Sequence, residues 1–343
     1  MSTKWRAESD ALGEVTIPIE KMWGTQTQRC LLNFKIGTQP IPFALISALV
    51  LVKKVAAQTN HSLGILPADI FEAIQCASDA ILAGKHNSEF PISPWQTGSG
   101  TQTNMNLNEV IANRANEIAG KNKGDMSPVH PNDHVNMSQS SNDTYPTAMH
   151  VAILMNLKES IPAIDILIKS LSKKARQFSS FKKIGRTHLM DALPVTLGSE
   201  FAAYVTSISK ARKEIIDAQK ELQNVALGGT AVGSGANTPK GYRKIAIAEL
   251  GKISKLSLKP EKDMQHGLQS KFAVANLSSA LRNLAIEIGK VSNDIRLMAS
   301  GPIAGLAELG IPAVHGGSSI MPGKRNPSLA ECINMVCLNI IRN

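Results

Sequence analysis

Three stretches of the chain carry apolar residues at alternating three- and four-residue spacing. The first runs through Leu154, Leu157, Ile161, Ile164, Ile168 and Leu171. The second runs Leu197, Phe201, Tyr204, Ile208, Ala211, Ile215, Ala218, Leu222, Val225, and the third Val274, Leu277, Leu281, Leu284, Ile288, Val291, Ile295, Met298. Each is a heptad seam, so each predicts a helix that lays one stripe against its neighbours. At about 1.5 Å per residue the second and third helices are expected to be roughly 35 to 45 Å long, the dimensions of a bundle of near-parallel rods. Pro162 removes an amide donor inside the first helix and predicts a kink there. A fourth bundle helix is expected from near Ser328, cut at Asn343.

Upstream of residue 140 the apolar periodicity is shorter and broken by Gly and Pro clusters, FPISPWQTGSG at 90–100 and SPVHPND at 127–133. This change of texture predicts two domains, an N-terminal, mostly helical one over 1–139 and the long-helix bundle over 140–343. The fold class is mainly α. Seams of this length exceed what three helices can cover, so self-association is expected.

Composition narrows the function. Of 343 residues 43% are hydrophobic and 19% charged, the balance of a globular protein with a large core. The longest apolar run, Phe43 to Val52, is interrupted by Ser47 and is too short to span a bilayer. The N-terminus MSTKWRAESDALGE shows neither a signal-peptide h-region nor a transit-peptide pattern, and a cytoplasmic location is expected. Cys30, Cys76, Cys332 and Cys337 form no CxxC pair or zinc spacing, as in reduced thiols. A net charge of +10 could serve nucleic acid, but aromatics are only 4% and the cations are dispersed, so stacking platforms are scarce. A small anionic substrate accounts for the same excess.

Chemistry concentrates in four polar segments. GSSIMPGKRNP at 317–327 has too many Gly and Pro residues around it to hold a helix or strand, yet it carries Ser318, Ser319, Lys324 and Asn326, a set of anion-binding groups on a loop. It is not a P-loop, because Ser318 and Arg325 stand where Gly and Ser or Thr are needed. TGSGTQTN at 97–104 offers Ser99, Thr101 and Asn104; Thr103 occupies the place of the third Gly of a dinucleotide fingerprint. As plain structure it is a helix N-terminus capped by Thr103 or Asn104, which is itself compatible with anion binding.

HPNDHVNMSQSSND at 130–143 places His130 and His134 at a metal-like spacing, but Pro131 argues against a helix that would align them, and no metal is expected. Ser140, Ser141, Asn142 and Asp143 read as a capping cluster for the first long helix. GRTHLMDALP at 185–194 sets Thr187 and His188 in an exposed connection, where an imidazole suits acid–base work near neutral pH. GGTAVGSGANT at 228–238 lacks the P-loop Lys, Ser234 being in its place, and is assigned no chemistry.

These segments, with GEVTIPIEKMWGTQTQRCLLNFKIG at 13–37, resemble the fumarase/aspartase superfamily of dicarboxylate lyases, and class II fumarases in particular, over nearly the whole chain. His188 supports the fumarase branch, since aspartases typically have Gln there. The resemblance implies reversible hydration of fumarate to L-malate without a metal or organic cofactor. It implies Ser318 as the base at carbon, Ser319 in binding, and Glu331 as the partner orienting His188, which handles the water or hydroxyl. Substrate-binding residues by the same resemblance are Ser99, Thr101, Asn104, Ser140, Ser141, Asn142, Thr187 and Asn326, with Lys324 among the catalytic group. His130, Asn132 and Asp133 match a second anion site.

A homotetramer with shared sites, and a further C-terminal portion absent from this chain, also follow from the resemblance. Three positions depart from the pattern: Ser127 replaces a basic residue, Arg325 an apolar one, and Ile303 an Arg. A sister lyase releasing ammonia and an inactive truncated relative are the competing expectations.

Overall fold

The computed structural model describes residues 4–314, 320–321 and 323–343. In chain order its elements are strands β1 (Trp5–Asp10) and β2 (Gly13–Pro18), helices α1 (Thr25–Asn33), α2 (Phe43–Ser62), α3 (Ala68–Leu82), α4 (Thr101–Ile118) and α5 (Ser141–Gln177), strands β3 (Lys182–Thr187) and β4 (Met190–Thr196), helix α6 (Leu197–Leu222), strand β5 (Asn224–Val225), helix α7 (Tyr242–Ser254), strand β6 (Lys259–Pro260), and helices α8 (Met264–Gln269), α9 (Phe272–Met298) and α10 (Ser328–Arg342). Packing divides the chain into two compact units, 1–156 with 222–271, and 157–221 with 272–343. The segment 222–271 follows the second seam in sequence but packs with the N-terminal residues.

In the first unit, α2, α3, α4 and α7 enclose a core that includes Ile46, Leu49, Val52, Ile74, Ile81, Leu107, Ile111 and Leu250. Among the described residues α2 is the one helix long and apolar enough to cross a bilayer, and 67% of its most apolar window is buried. It is apolar on nearly all sides because the core surrounds it. The helix that begins with the apolar run Phe43–Val52 continues to Ser62, through the fully buried Lys53.

A second unexpected feature is the polar interior of α4. Asn106, Asn108, Glu109, Asn113 and Asn116 are all buried, although such residues favour caps and turns over helix interiors. Their partners explain most of them. Glu109 accepts from the backbone N–H groups of Gly24 (2.9 Å), Gln26 (2.7 Å) and Thr27 (3.2 Å). Asn113 donates to Met22 O (2.7 Å), and Asn116 exchanges two bonds with Val129, at 2.9 and 2.8 Å. The helix holds loops in place by satisfying amides that would otherwise be buried without partners.

In the second unit the seams form as the periodicity requires. Leu197, Phe201, Tyr204, Ile208, Ala211, Ile215 and Ala218 of α6 are all buried, as is its last residue, Leu222, which belongs to the first unit. On α9 Leu277, Leu284, Val291 and Met298 are buried while Leu281 and Ile288 stay partly exposed. Helices α6 and α9, at 26 and 27 residues, are about 40 Å long. Tyr204 on α6 donates to Asp294 of α9 (2.9 Å), and Arg212 on α6 pairs with Asp165 of α5 (2.5 Å). Helix α5 is 37 residues long and passes through Pro162 without ending.

The connection at 182–196 is not an irregular link. It is an antiparallel hairpin with a bulge between Ile184 and Arg186, and its two-residue turn consists of His188 and Leu189, at φ +53° and +63°. Positive φ at both turn positions matches the right-handed twist of the strands, a geometry usually given to Asn and Gly. Here a His and a Leu hold it, at a cost in local strain.

Candidate active site

In the first unit the structure joins two of the four sequence segments. Helix α4 opens at Thr101 with Gly100 as its cap at φ +69°, and no side chain caps it. The expected capping by Thr103 or Asn104 is therefore corrected: both lie inside the helix and are buried. A Cβ at Gly100 would sit 2.4 Å from the Tyr145 ring, so glycine is required by space as well as by φ. This close approach of α5 sets Thr101 Oγ1 3.0 Å from Ser141 Oγ, with Ser99 Oγ 3.0 Å further along. Asn104 donates to Asn136 Oδ1 (3.1 Å) and accepts from Thr144 (3.2 Å), beneath that hydroxyl row.

The start of α5 is a capping box, in agreement with the capping cluster expected there. Ser140 Oγ accepts from the Asn142 N–H (3.2 Å), while Asp143 Oδ1 accepts from the Ser140 N–H (3.0 Å). The second oxygen of Asp143 accepts from the N–H groups of Gly228 (2.9 Å) and Thr230 (3.0 Å). Burial pushes the Asp143 carboxyl up against the downward pull of these three amides. Asn142, exposed at the tip, donates to Ala231 O (3.0 Å). The Gly-rich stretch at 228–238 thus supports the cluster, a role that its motif spacing did not reveal.

Just upstream, Pro131–Val135 forms a single wide helical turn, with Pro at its first position where no amide donor is needed. The expectation that Pro131 prevents helical backbone is corrected to that extent. His130 Nδ1 accepts from the Asp133 N–H (3.1 Å), and His134 Nδ1 from the His130 N–H (2.9 Å). Those nitrogens are used by backbone. Asn132 and Asp133 are exposed, and His130 lies 3.3 Å from the Asp133 carboxylate.

The second unit carries His188, Thr187, Lys324, Asn326 and Glu331. His188 and Thr187 are exposed at the hairpin tip, and among the described residues His188 makes no hydrogen bond or ion pair. The strand beneath is held by charge. Glu308 accepts from Arg186 through both oxygens (2.5 and 3.0 Å) and from Lys183 (2.5 Å), which also reaches Glu200 (2.9 Å). The Arg186 and Lys183 cations hold the Glu308 carboxyl down to about 2.

Lys324 and Asn326 line an open depression with Asn293, Arg296 and Pro302. Glu331 stands in the first turn of α10, 3.7 Å from Arg296 of α9. Ser318 and Ser319 lie outside the described residues. Sequence reasoning missed Gln139, Asn136, Lys53 and Glu308, and saw Asp143 as a cap without its bonds to Gly228 and Thr230. The one signal for them was polar side chains at positions otherwise apolar.

Glu308 yields a direct test. Its folded pKa lies below the ordinary carboxyl value, so its contribution is present above about pH 4.5 and is lost as pH falls through about 2. Glu308→Gln is expected to cost on the order of 1 kcal/mol at pH 7, a partly exposed ion-pair value, with the difference closing in acid. Urea unfolding at several pH values measures it, and a pH-independent difference contradicts the assignment.

In the first unit two helix starts contribute hydroxyls and an amide, and in the second, long helices carry an imidazole on a hairpin; the class of protein these elements belong to is a lyase. The lyase family model matches residues 13–342. A class II fumarate hydratase of Pseudomonas syringae pv. tomato is 48% identical, covering 98% of this chain and 73% of the relative. One from Thermosynechococcus vestitus is 48% identical over 100% of this chain and 74% of its own length. Among solved structures, the class II fumarase of Schistosoma mansoni superimposes with a TM-score of 0.93 at 39% identity, over 99% of this chain and 74% of that one. A Brucella melitensis protein described as fumarate lyase:delta crystallin gives 0.91 at 41% identity, with coverage of 99% and 74%. The chain belongs to the lyase family, in its class II fumarate hydratase branch.

Proposed function

We propose that this protein catalyses the reversible hydration of fumarate to L-malate. The observation that carries the reading is the contact of Thr101 with Ser141 beside Asn142, a row of donors at two helix starts, in a chain so similar to fumarate hydratases over 98% of its length. A dicarboxylate suits such donors, and helix N-termini add favourable potential for its charge.

In the dehydrating direction Ser318 takes the proton from the carbon next to one carboxylate. The electron pair moves into that carboxylate, and the hydroxide leaves from the neighbouring carbon with a proton supplied on the His188 side. The intermediate carries excess negative charge, and Lys324, Asn326, Thr187 and the Ser141–Asn142 pair are the donors that stabilise it. Glu331 orients His188, Ser319 and Asn104 complete the binding group, and the exchange requires no metal or organic cofactor. His130, Asn132 and Asp133 form an outer anion site.

The working form is a cytoplasmic homotetramer, with each site assembled from several chains. Support comes from α10, where Leu329, Met335, Val336 and Leu338 are more than half exposed and form an apolar surface suited to a neighbour. The division into domains 1–139 and 140–343 belongs to the same reading, the bundle through which chains associate being the second domain without 140–156 and 222–271, which pack with the N-terminal residues. Ultraviolet assay of fumarate formed from L-malate tests the activity directly. Turnover with L-aspartate instead of malate, releasing ammonia, would transfer the chain to the sister lyases.

A further inference from the structure

Lys53 has no part in the chemistry above, yet it is fully buried on α2 directly behind the site. Its Nζ donates to Asn136 Oδ1 (2.8 Å) and Gln139 Oε1 (2.9 Å). Asn136 accepts a further bond from Asn104 (3.1 Å) and donates to Gln139 O (3.3 Å). Two helical turns along the same helix, Asn60 donates to Met137 O (3.0 Å). The 136–139 segment therefore rests on two side chains of α2, and Ser140, Ser141 and Asn142 follow it without a break.

We propose that Lys53 is a positioning residue for the proposed hydration: its ammonium fixes Asn136 and Gln139 and thereby the placement of Ser141 and Asn142. A long cation is an expensive way to fill a core, because a buried charge is tolerated only when it is well paired. What it offers is two charge-assisted bonds to the side chains of a turn whose apolar contacts, Val135 and Met137, leave Asn136 and Gln139 to be fixed by polar partners.

The same burial lowers the Lys53 pKa to about 7, opposed by the Asp143 charge. The other groups around it are the amides of Asn104, Asn136 and Gln139; Tyr242 on α7 is buried near Asp143; Asp79 of α3 and Glu249 of α7 are bonded to Lys54 and Gln58 instead. Loss of the proton weakens both bonds, so substrate binding should respond to pH through this group. The inference rests on the fumarate reading for its kinetic arm only.

The test compares wild type with Lys53→Met, which keeps the length and removes the donors, and with Lys53→Gln should the first variant not fold. In wild type, kcat/KM for malate is expected to fall as pH rises through about 7. In the variant kcat/KM is expected to be about 100-fold lower, the scale of a misplacement near 1 Å, and that pH step to be missing. The amide resonances of Ser141 and Asn142, observed in selectively 15N-labelled protein, should show the same step in wild type and lose it in the variant, whether or not the chain turns over malate.

Stability is a third reading. Below about pH 7 the fold bears the cost of a buried ammonium, and that cost lifts toward pH 10.5, where the unfolded chain also releases the proton. The urea midpoint of wild type should therefore rise across that window relative to the variant. A wild type without malate turnover would sink the functional reading alone. Unchanged amide resonances across pH 6 to 9 in wild type, or an unchanged step in the variant, would overturn the role of Lys53.

Discussion

His188→Asn is expected to lower kcat for malate by about 10²- to 10⁴-fold, the usual worth of a positioned acid–base group, with a smaller change in KM. Asn keeps a polar side chain at the exposed tip and tolerates the positive φ of that turn better than His does. Folding should therefore be unaffected, and any loss belongs to the chemistry. The hairpin holds the imidazole away from every packed surface. A rate within a few-fold of wild type would reduce His188 to a turn residue. Shared sites add a second reading from the same variant: mixed with Ser318→Ala chains, His188→Asn chains should regain part of the activity in hybrid tetramers. Proven subunit mixing without recovery would contradict sites built from several chains.

The largest loss of stability is expected from Asp143→Ala, about 3–5 kcal/mol, the scale of breaking a buried charged network from one side. The carboxylate is fully buried and accepts three amide hydrogen bonds, from Ser140, Gly228 and Thr230. Removing it leaves those N–H groups without partners and the Lys53 charge without its counter-charge. Ser140 and the 228–231 segment should separate, and with them the Asn142–Ala231 contact, so malate turnover should fall as well. Asp143→Asn, which retains one acceptor oxygen, should lie between alanine and wild type. Chemical denaturation of the three proteins measures the order. A cost below 1 kcal/mol for alanine would mean that the amides find other partners.

Much of the frame was legible in the sequence, because burial against neighbouring rods demands apolar residues at helical spacing. Leu197 to Leu222 reads as one stripe, and every member of it is buried in α6. The polar segments were legible for a different reason: Gly and Pro punctuation removes regular structure, and what remains is selected for its functional groups. Thr101, Ser141, Asn142 and His188 stand out on those terms, and their motifs match a lyase family.

Tertiary structure decided the rest. That Thr101 lies 3.0 Å from Ser141 depends on Gly100 admitting the Tyr145 ring, a contact between residues 45 positions apart that no local pattern encodes. The return of 222–271 to the N-terminal unit, which supplies the amides for Asp143, is likewise a matter of packing. His188 was expected in an exposed connection; it is exposed, and only the structure shows that the connection is a two-residue turn between paired strands. Periodicity records which face of an element avoids water; it does not record which distant polar group that face will meet. For this reason the sequence by itself determined the long-helix lyase frame and the groups available for chemistry, while only the fold decided that Lys53, Asp143 and Glu308 would hold them, since a buried hydrogen bond is defined by two partners and the chain shows them one at a time.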